Sequence, residues 1–132
     1  MLGENEKRLL LRAASDVMLN AYAPYSGIKV GAALLAENGQ VYTGVNVENS
    51  SFGLTVCAER NSVFTAVAQG EKNFVGLAIV TDSAKVTSPC GACRQVLHEF
   101  APSLPIIFQN PLRVCEYTLE QLYPAAFRLE RG

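Results

Sequence analysis

Three cysteines and one glutamate carry the strongest chemical signal in this chain. Cys57 and Glu59 lie in the stretch CAER, and Cys90 and Cys93 in PCGACRQ. Three thiolates suit zinc and leave a fourth position open for water. Bound in that way, a water molecule loses its proton near neutral pH and becomes a nucleophile, provided that a neighbouring group accepts the proton. Glu59 can do so: it follows Cys57 by two residues in the first turn of an expected helix, close to a metal without being its ligand. A helix N-terminus favours an acidic residue by about 0.3–1 kcal/mol in any case. That preference does not account for a glutamate placed among three cysteines.

Two other readings use the same residues. A CxxC pair at a helix N-terminus can exchange disulfides, but that chemistry needs only Cys90 and Cys93 and gives Cys57 no role. A structural zinc site is closed by four protein ligands, and the candidates for the fourth are His98 and Cys115. His98, the only histidine, follows Cys93 on the same helix by more than a turn, which carries it away from the N-terminus where a metal would sit. It reads as a surface or packing residue. Cys115 reads as a small buried apolar residue. Three thiolates leave a zinc ion with a net negative charge, which opposes loss of a proton from its water. Two helix N-termini aimed at the sulfurs offset part of that charge. Arg60, next to Glu59, can donate to a thiolate and offset more.

The elements that must position these residues follow from periodicity. Leu9, Leu10, Ala13, Ala14, Val17, Met18 and Ala21 recur at helical spacing, so a helix is predicted over residues 4–22, ended by Pro24. VGAALLAE and VYTGVNVE, separated by a turn at ENG, predict two antiparallel strands. NSSFGLTV reads as a loop. A helix from Cys57 to Gly70, a strand at FVGLAIVTD, a helix at CGACRQVLHEFA, strands at LPIIFQN and RVCEYT, and a short helix at LEQLYP complete the order. Strands separated by helices imply crossover connections and some parallel pairing. The predicted class is α/β: a three-layer α/β/α arrangement with a mixed five-stranded sheet, as one domain over residues 1–132. Both cysteine segments fall at helix starts, where sites gather in such sheets.

Composition limits the partners. The chain is 49% hydrophobic and 17% charged, with a net charge of −1, which suits a packed core. The basic stripe expected of a nucleic-acid binder is missing. The stretch MLGENEKRLLLRAASD holds only a three-residue apolar run flanked by Arg8 and Arg12. Neither a signal sequence nor a membrane span is expected, so the expected location is cytoplasmic, where thiols stay reduced and available to metals.

The segments PYSGIKVGAAL, GVNVENSS, CAER, SPCGACRQVL and LYPAAF, in that order, resemble the zinc nucleoside deaminases, specifically the short homotetrameric cytidine deaminases. The pattern of Cys or His, any residue, Glu, then PCxxC is the general deaminase signature. Cysteine rather than histidine at its first position points toward free nucleosides. The resemblance implies that Cys57, Cys90 and Cys93 hold one Zn2+ per subunit. It makes Glu59 the proton shuttle between water, ring N3 and the departing amine. It also implies that the Ala58 N–H meets the pyrimidine O2, and that Asn46, Val47 and Glu48 contact the sugar. Ile28, Phe52 and Phe127 would wall the pocket, neighbouring subunits of a tetramer completing it. Two positions depart from the family pattern. Ile28 stands where members commonly carry Phe, which removes ring contact worth roughly 0.5–1.5 kcal/mol and leaves more room. Phe52 stands where Tyr is frequent. The function implied is hydrolytic deamination of cytidine or deoxycytidine, or of base-modified analogues, to uridine or deoxyuridine, with release of ammonia, in pyrimidine salvage. The alternatives are deamination of a cytosine-nucleoside antibiotic of the blasticidin S kind, and a non-catalytic zinc module, which would have a closed coordination sphere and no need of Glu59.

Overall fold

The computed structural model describes residues 2–130, so residue 1 and residues 131–132 of the expected domain lie outside the description. The elements in chain order are α1 (Glu4–Met18), β1 (Val30–Ala36), β2 (Val41–Val45), a 3-10 turn (Phe52–Leu54), α2 (Ala58–Ala68), β3 (Phe74–Thr81), α3 (Gly91–Phe100), β4 (Pro105–Gln109), β5 (Val114–Thr118) and α4 (Leu119–Leu122). The five strands form one sheet in the order β2-β1-β3-β4-β5. Only β3 and β4 run parallel, and α3 lies in the connection between them. The other three pairs are antiparallel, so the predicted mixed sheet is present.

Alternation along the strands builds two cores. Ala33 and Leu35 of β1 face α1, where they pack with Leu10, Ala14, Ala78, Val80 and Ile107. Ala32 and Leu34 face the other way, toward Ala58, Val63 and Ala66 of α2, Leu97 of α3 and Leu119 of α4. A strand covered on both sides reads as a continuous apolar run rather than an alternating one, and VGAALLA is such a run. Among the described residues no helix is long and apolar enough to cross a membrane.

Two glycines let the helices come close. A Cβ on Gly31 would lie 2.0 Å from the Ala14 carbonyl oxygen of α1, and one on Gly44 would lie 2.4 Å from Ser62 N and 2.5 Å from the Ala58 carbonyl oxygen of α2. The first turn of α2 therefore rests directly on the backbone of β2. Asn61 fixes its register by donating to the Val45 carbonyl at 2.7 Å.

Three boundaries differ from the sequence expectation. The first helix ends at Met18 rather than near residue 22, because the backbone of Tyr22 is taken up elsewhere. Its N–H donates to the Asn46 carbonyl at 3.0 Å, and its carbonyl accepts from the Glu48 N–H at 2.9 Å. The second strand ends at Val45, but extended pairing continues beyond it, with Val47 bridging both Tyr22 and Val56. The expected loop after it contains the 3-10 turn at Phe52–Leu54. This irregular pairing holds residues 46 and 48 beside the start of α2.

Candidate active site

Cys57 is the N-cap residue of α2 and Cys90 that of α3, and Cys93 lies in the first turn of α3. The three sulfurs lie within 4.8 Å of one another, the only such group of metal-binding side chains among the described residues. Cys57 Sγ is 3.7 Å from Cys90 Sγ, which is 3.4 Å from Cys93 Sγ. Tetrahedral zinc with bonds of about 2.3 Å holds its sulfurs about 3.8 Å apart, so the cluster fits that ion closely. His98 and Cys115 lie outside it. The His98 ring instead meets Tyr123 edge-on at 5.8 Å. Cys115 is half-buried in β5 rather than buried, because β5 is an edge strand of the sheet.

The electrostatics suit bound metal. Hydrogen bonding from the Cys93 thiol pulls the Cys57 thiol down to about 5, assisted by Arg60. Cys93, sharing that interaction and buried, is pushed up. Arg60 Nη2 donates to Cys57 Sγ at 3.5 Å, the thiolate contact expected of it.

Glu59 is 5% exposed. Burial raises its carboxyl to about 7; the charge on Cys57 adds to the rise, while Arg60 and the Cys93 thiol oppose it. A carboxyl poised there can accept or release a proton at neutral pH.

A cleft of about 230 Å³ opens at the cluster, with Cys57, Ala58, Glu59 and Cys90 on its inner side. Ile28 and Asn46 line it too. Residues not singled out in the sequence complete it: Val30, Ile79, Val86 and Phe108 as apolar wall, and Ser26, Thr55 and Ser88 as polar groups. Ser88 could have been suspected from its place just before PCGAC. The others carry no local signal for a pocket, because the chain crossing that brings these strand and loop residues together is not written in local pattern.

The Asn46 amide is tied to the segment before β1. Its Oδ1 accepts from Val30 N and its Nδ2 donates to the Ile28 carbonyl, both at 2.8 Å. Glu48 accepts from the N–H groups of Tyr25 and Ser26 at 2.9 and 3.1 Å, and from the Ser26 hydroxyl. These contacts hold its carboxyl below the usual carboxylate range, the Ser26 hydroxyl most of all. Glu48 opens onto an adjoining pocket shared with Tyr25, Ser26, Phe52 and Thr55, where the Phe52 and Tyr25 rings lie 5.6 Å apart. Two expected contacts are not met within one chain. Val47 turns away, because side chains alternate along extended backbone, and lines a separate groove with Gly44, Asn61 and Phe64. Phe127 is 62% exposed, on a tail whose carbonyl at that residue accepts from Gln95 Nε2 at 3.0 Å, and it lines neither pocket.

The family model described as "Cytidine and deoxycytidylate deaminase zinc-binding region" matches residues 4–108. A cytidine deaminase of Sporosarcina psychrophila is 49% identical over 123 residues, 92% of this chain and 90% of that protein. One from Halalkalibacterium halodurans is 41% identical over 127 residues, 95% of this chain and 96% of that protein. The crystal structure of a cytidine deaminase from Burkholderia pseudomallei superposes with a TM-score of 0.86 at 43% identity, covering 91% of this chain and 98% of that one.

Proposed function

Because the chain belongs to the cytidine and deoxycytidylate deaminase family and is an enzyme of that kind, we propose that it hydrolyses cytidine and deoxycytidine to uridine and deoxyuridine, releasing ammonia. The observation that carries this reading is the buried carboxyl of Glu59 beside three sulfurs, at the inner end of a cleft with an apolar wall. In the reaction the C4–N bond breaks, an oxygen from water takes its place, and the nitrogen leaves as ammonia. A zinc ion on Cys57, Cys90 and Cys93, one per subunit, would supply a water that ionises near neutral pH. Glu59 would hold and move the protons of the reaction, accepting one as water adds at C4, delivering it to ring N3 and then serving the departing amine. Burial, which raises its carboxyl, suits a group that both accepts and releases a proton.

The remaining roles follow from what each group has to spare. The Ala58 N–H, in the first turn of α2, has no partner within the helix and is free for the pyrimidine O2. Asn46 keeps one N–H and one lone pair, and Glu48 keeps one lone pair, after their internal bonds are made; these suit sugar hydroxyls. Ile28 leaves space against the base. Arg60 tempers the thiolate charge. Among the described residues no lysine or arginine lines the cleft or the adjoining pocket, and Glu48 places a carboxylate in the latter. A 5′-phosphate would meet repulsion with no cation to pair, which supports a nucleoside rather than a nucleotide.

Exposed Phe52, Phe64, Val67 and Val47 support assembly of copies, with a tetramer supplying Phe52 and Phe127 to neighbouring sites. A cytoplasmic role in pyrimidine salvage suits this chemistry. A panel of cytidine, deoxycytidine, their 5′-monophosphates, blasticidin S and ring-substituted cytosines, followed by the ultraviolet change on loss of the 4-amino group, tests the reading. The nucleosides should turn over fastest and the monophosphates least. Preference for the antibiotic would favour the roomier-pocket alternative, and no turnover of any member by zinc-loaded protein would leave only the non-catalytic module.

A further inference from the structure

Cys90 lies at the end of an irregular stretch, residues 82–90, between β3 and α3. Four consecutive residues of that stretch are each held by a donor from outside it. Asn110 Nδ2 donates to the Val86 carbonyl at 3.1 Å and the Tyr117 hydroxyl to the Thr87 carbonyl at 3.3 Å. Arg94 takes the next two alone: its Nη2 donates to Ser88 Oγ at 3.0 Å and its Nε to the Pro89 carbonyl at 2.8 Å. The remaining arm, Nη1, donates to the Leu122 carbonyl at 2.6 Å, the last carbonyl of α4 and thus one of the acceptors a helix leaves unpaired at its end. Beside it, Gln95 accepts from the Tyr123 hydroxyl and donates to the Phe127 carbonyl.

We propose that Arg94 is a positioning residue for the metal-bearing loop: it sets Ser88 and Pro89, and through them Cys90, at a fixed distance from the C-terminal segment. This rests on the deaminase reading of the cluster. The guanidinium suits the task because it is planar, always charged and presents its donors in a fixed fork. It holds three acceptors from two separate segments in one arrangement. A lysine ammonium is a single point on a flexible stem and cannot reproduce that fork. The hydrogen bonds of Arg94 go to two backbone carbonyls and the Ser88 hydroxyl, so it acts on the metal site through the loop it holds. Ser88 also lines the cleft, so the same contact sets one wall of the pocket.

The test compares zinc-loaded wild type, Arg94→Gln, Arg94→Lys and Leu10→Ala, the last a core change in α1 on the opposite face of the sheet. Zinc release to a chromogenic chelator is followed beside kcat, KM for cytidine and Tm. Loss of groups that orient metal ligands commonly costs 10–100-fold. Arg94→Gln should therefore release zinc at least roughly tenfold faster than wild type, and Arg94→Lys should fall between them. Leu10→Ala, with a comparable fall in Tm, should release zinc at the wild-type rate. Release from Arg94→Gln no faster than from Leu10→Ala would overturn the proposal. If Arg94→Gln does not fold, Arg94→Lys decides it: faster release than wild type supports the role, and an equal rate refutes it. Wild-type protein that binds zinc but deaminates nothing would defeat the deaminase reading, while the release rates would still judge Arg94.

Discussion

At the scale of single residues, the site divides into groups that do chemistry and groups that shape the space. Glu59→Gln should retain zinc and Tm but lose roughly 10²–10⁴-fold in kcat, the usual worth of a positioned acid-base group. Zinc content by atomic absorption beside steady-state rates checks this, and near wild-type turnover would remove Glu59 from the proton path. Ile28→Phe tests the space. It restores a ring against the base, so KM for plain cytidine should fall roughly two- to tenfold, and KM for ring-substituted cytosines should rise. The opposite pattern would mean that residue 28 does not meet the base. That Cys57, Cys90 and Cys93 would gather beside Glu59 was legible in the sequence, because both cysteine segments fall at predicted helix starts and their residue types suit one metal. Ser26, Thr55 and Ser88 were not, because a hydroxyl in a loop serves turns far more often than pockets. Val47 sits between Asn46, which lines the cleft, and Glu48, which opens onto the adjoining pocket, yet it lines a separate groove. Strand alternation was the available clue, and it points the side chain the other way.

At the scale of elements, the seating of α2 on β2 decides whether Glu59 is in place. Gly44 has no side chain where Ala58 and Ser62 come down, and Gly31 does the same for α1 on the other face. Alanine at either position forces backbone apart, at a cost of about 1–3 kcal/mol or more. The two variants should differ in what they do to catalysis. Gly44→Ala displaces the first turn of α2, and a misplacement of about 1 Å can cost on the order of a hundredfold in rate. Gly31→Ala should lower Tm by at least as much, yet leave kcat of the folded fraction close to wild type. Thermal melts beside active-site-titrated rates separate them; equal losses of kcat would mean that α2 is not specially coupled to the site. Apolar period revealed the strands and helices themselves. It could not reveal which strands pair, or that Tyr22 leaves the first helix to bridge Val47, because those choices depend on partners distant in sequence.

At the scale of the whole molecule, the proposed tetramer would account for two aromatics that a single chain leaves exposed. Phe52 is 73% exposed and Phe127 turns outward, although the proposed pocket needs aromatic walls. A separate apolar surface runs along the outer edge of the sheet, where Val47, Val45 and Gly44 meet Phe64 and Ala68 of α2, and Phe64 is half-exposed. Contiguous apolar surface of this sort on a stable domain marks association, and a closed assembly built on it would bring neighbouring chains toward the adjoining pockets. Sedimentation should therefore give a mass of about four chains for wild type, as the proposed tetramer requires. Phe64→Glu places a charge in that surface without touching the sulfurs, Glu59 or the cleft. It should yield smaller species that still bind zinc, with KM for cytidine raised at least roughly tenfold if neighbouring aromatics are lost from the pocket. Retained tetramer mass would move the interface elsewhere. Small species with unchanged KM would mean that each chain closes its own pocket, and that Phe52 and Phe127 serve no neighbour.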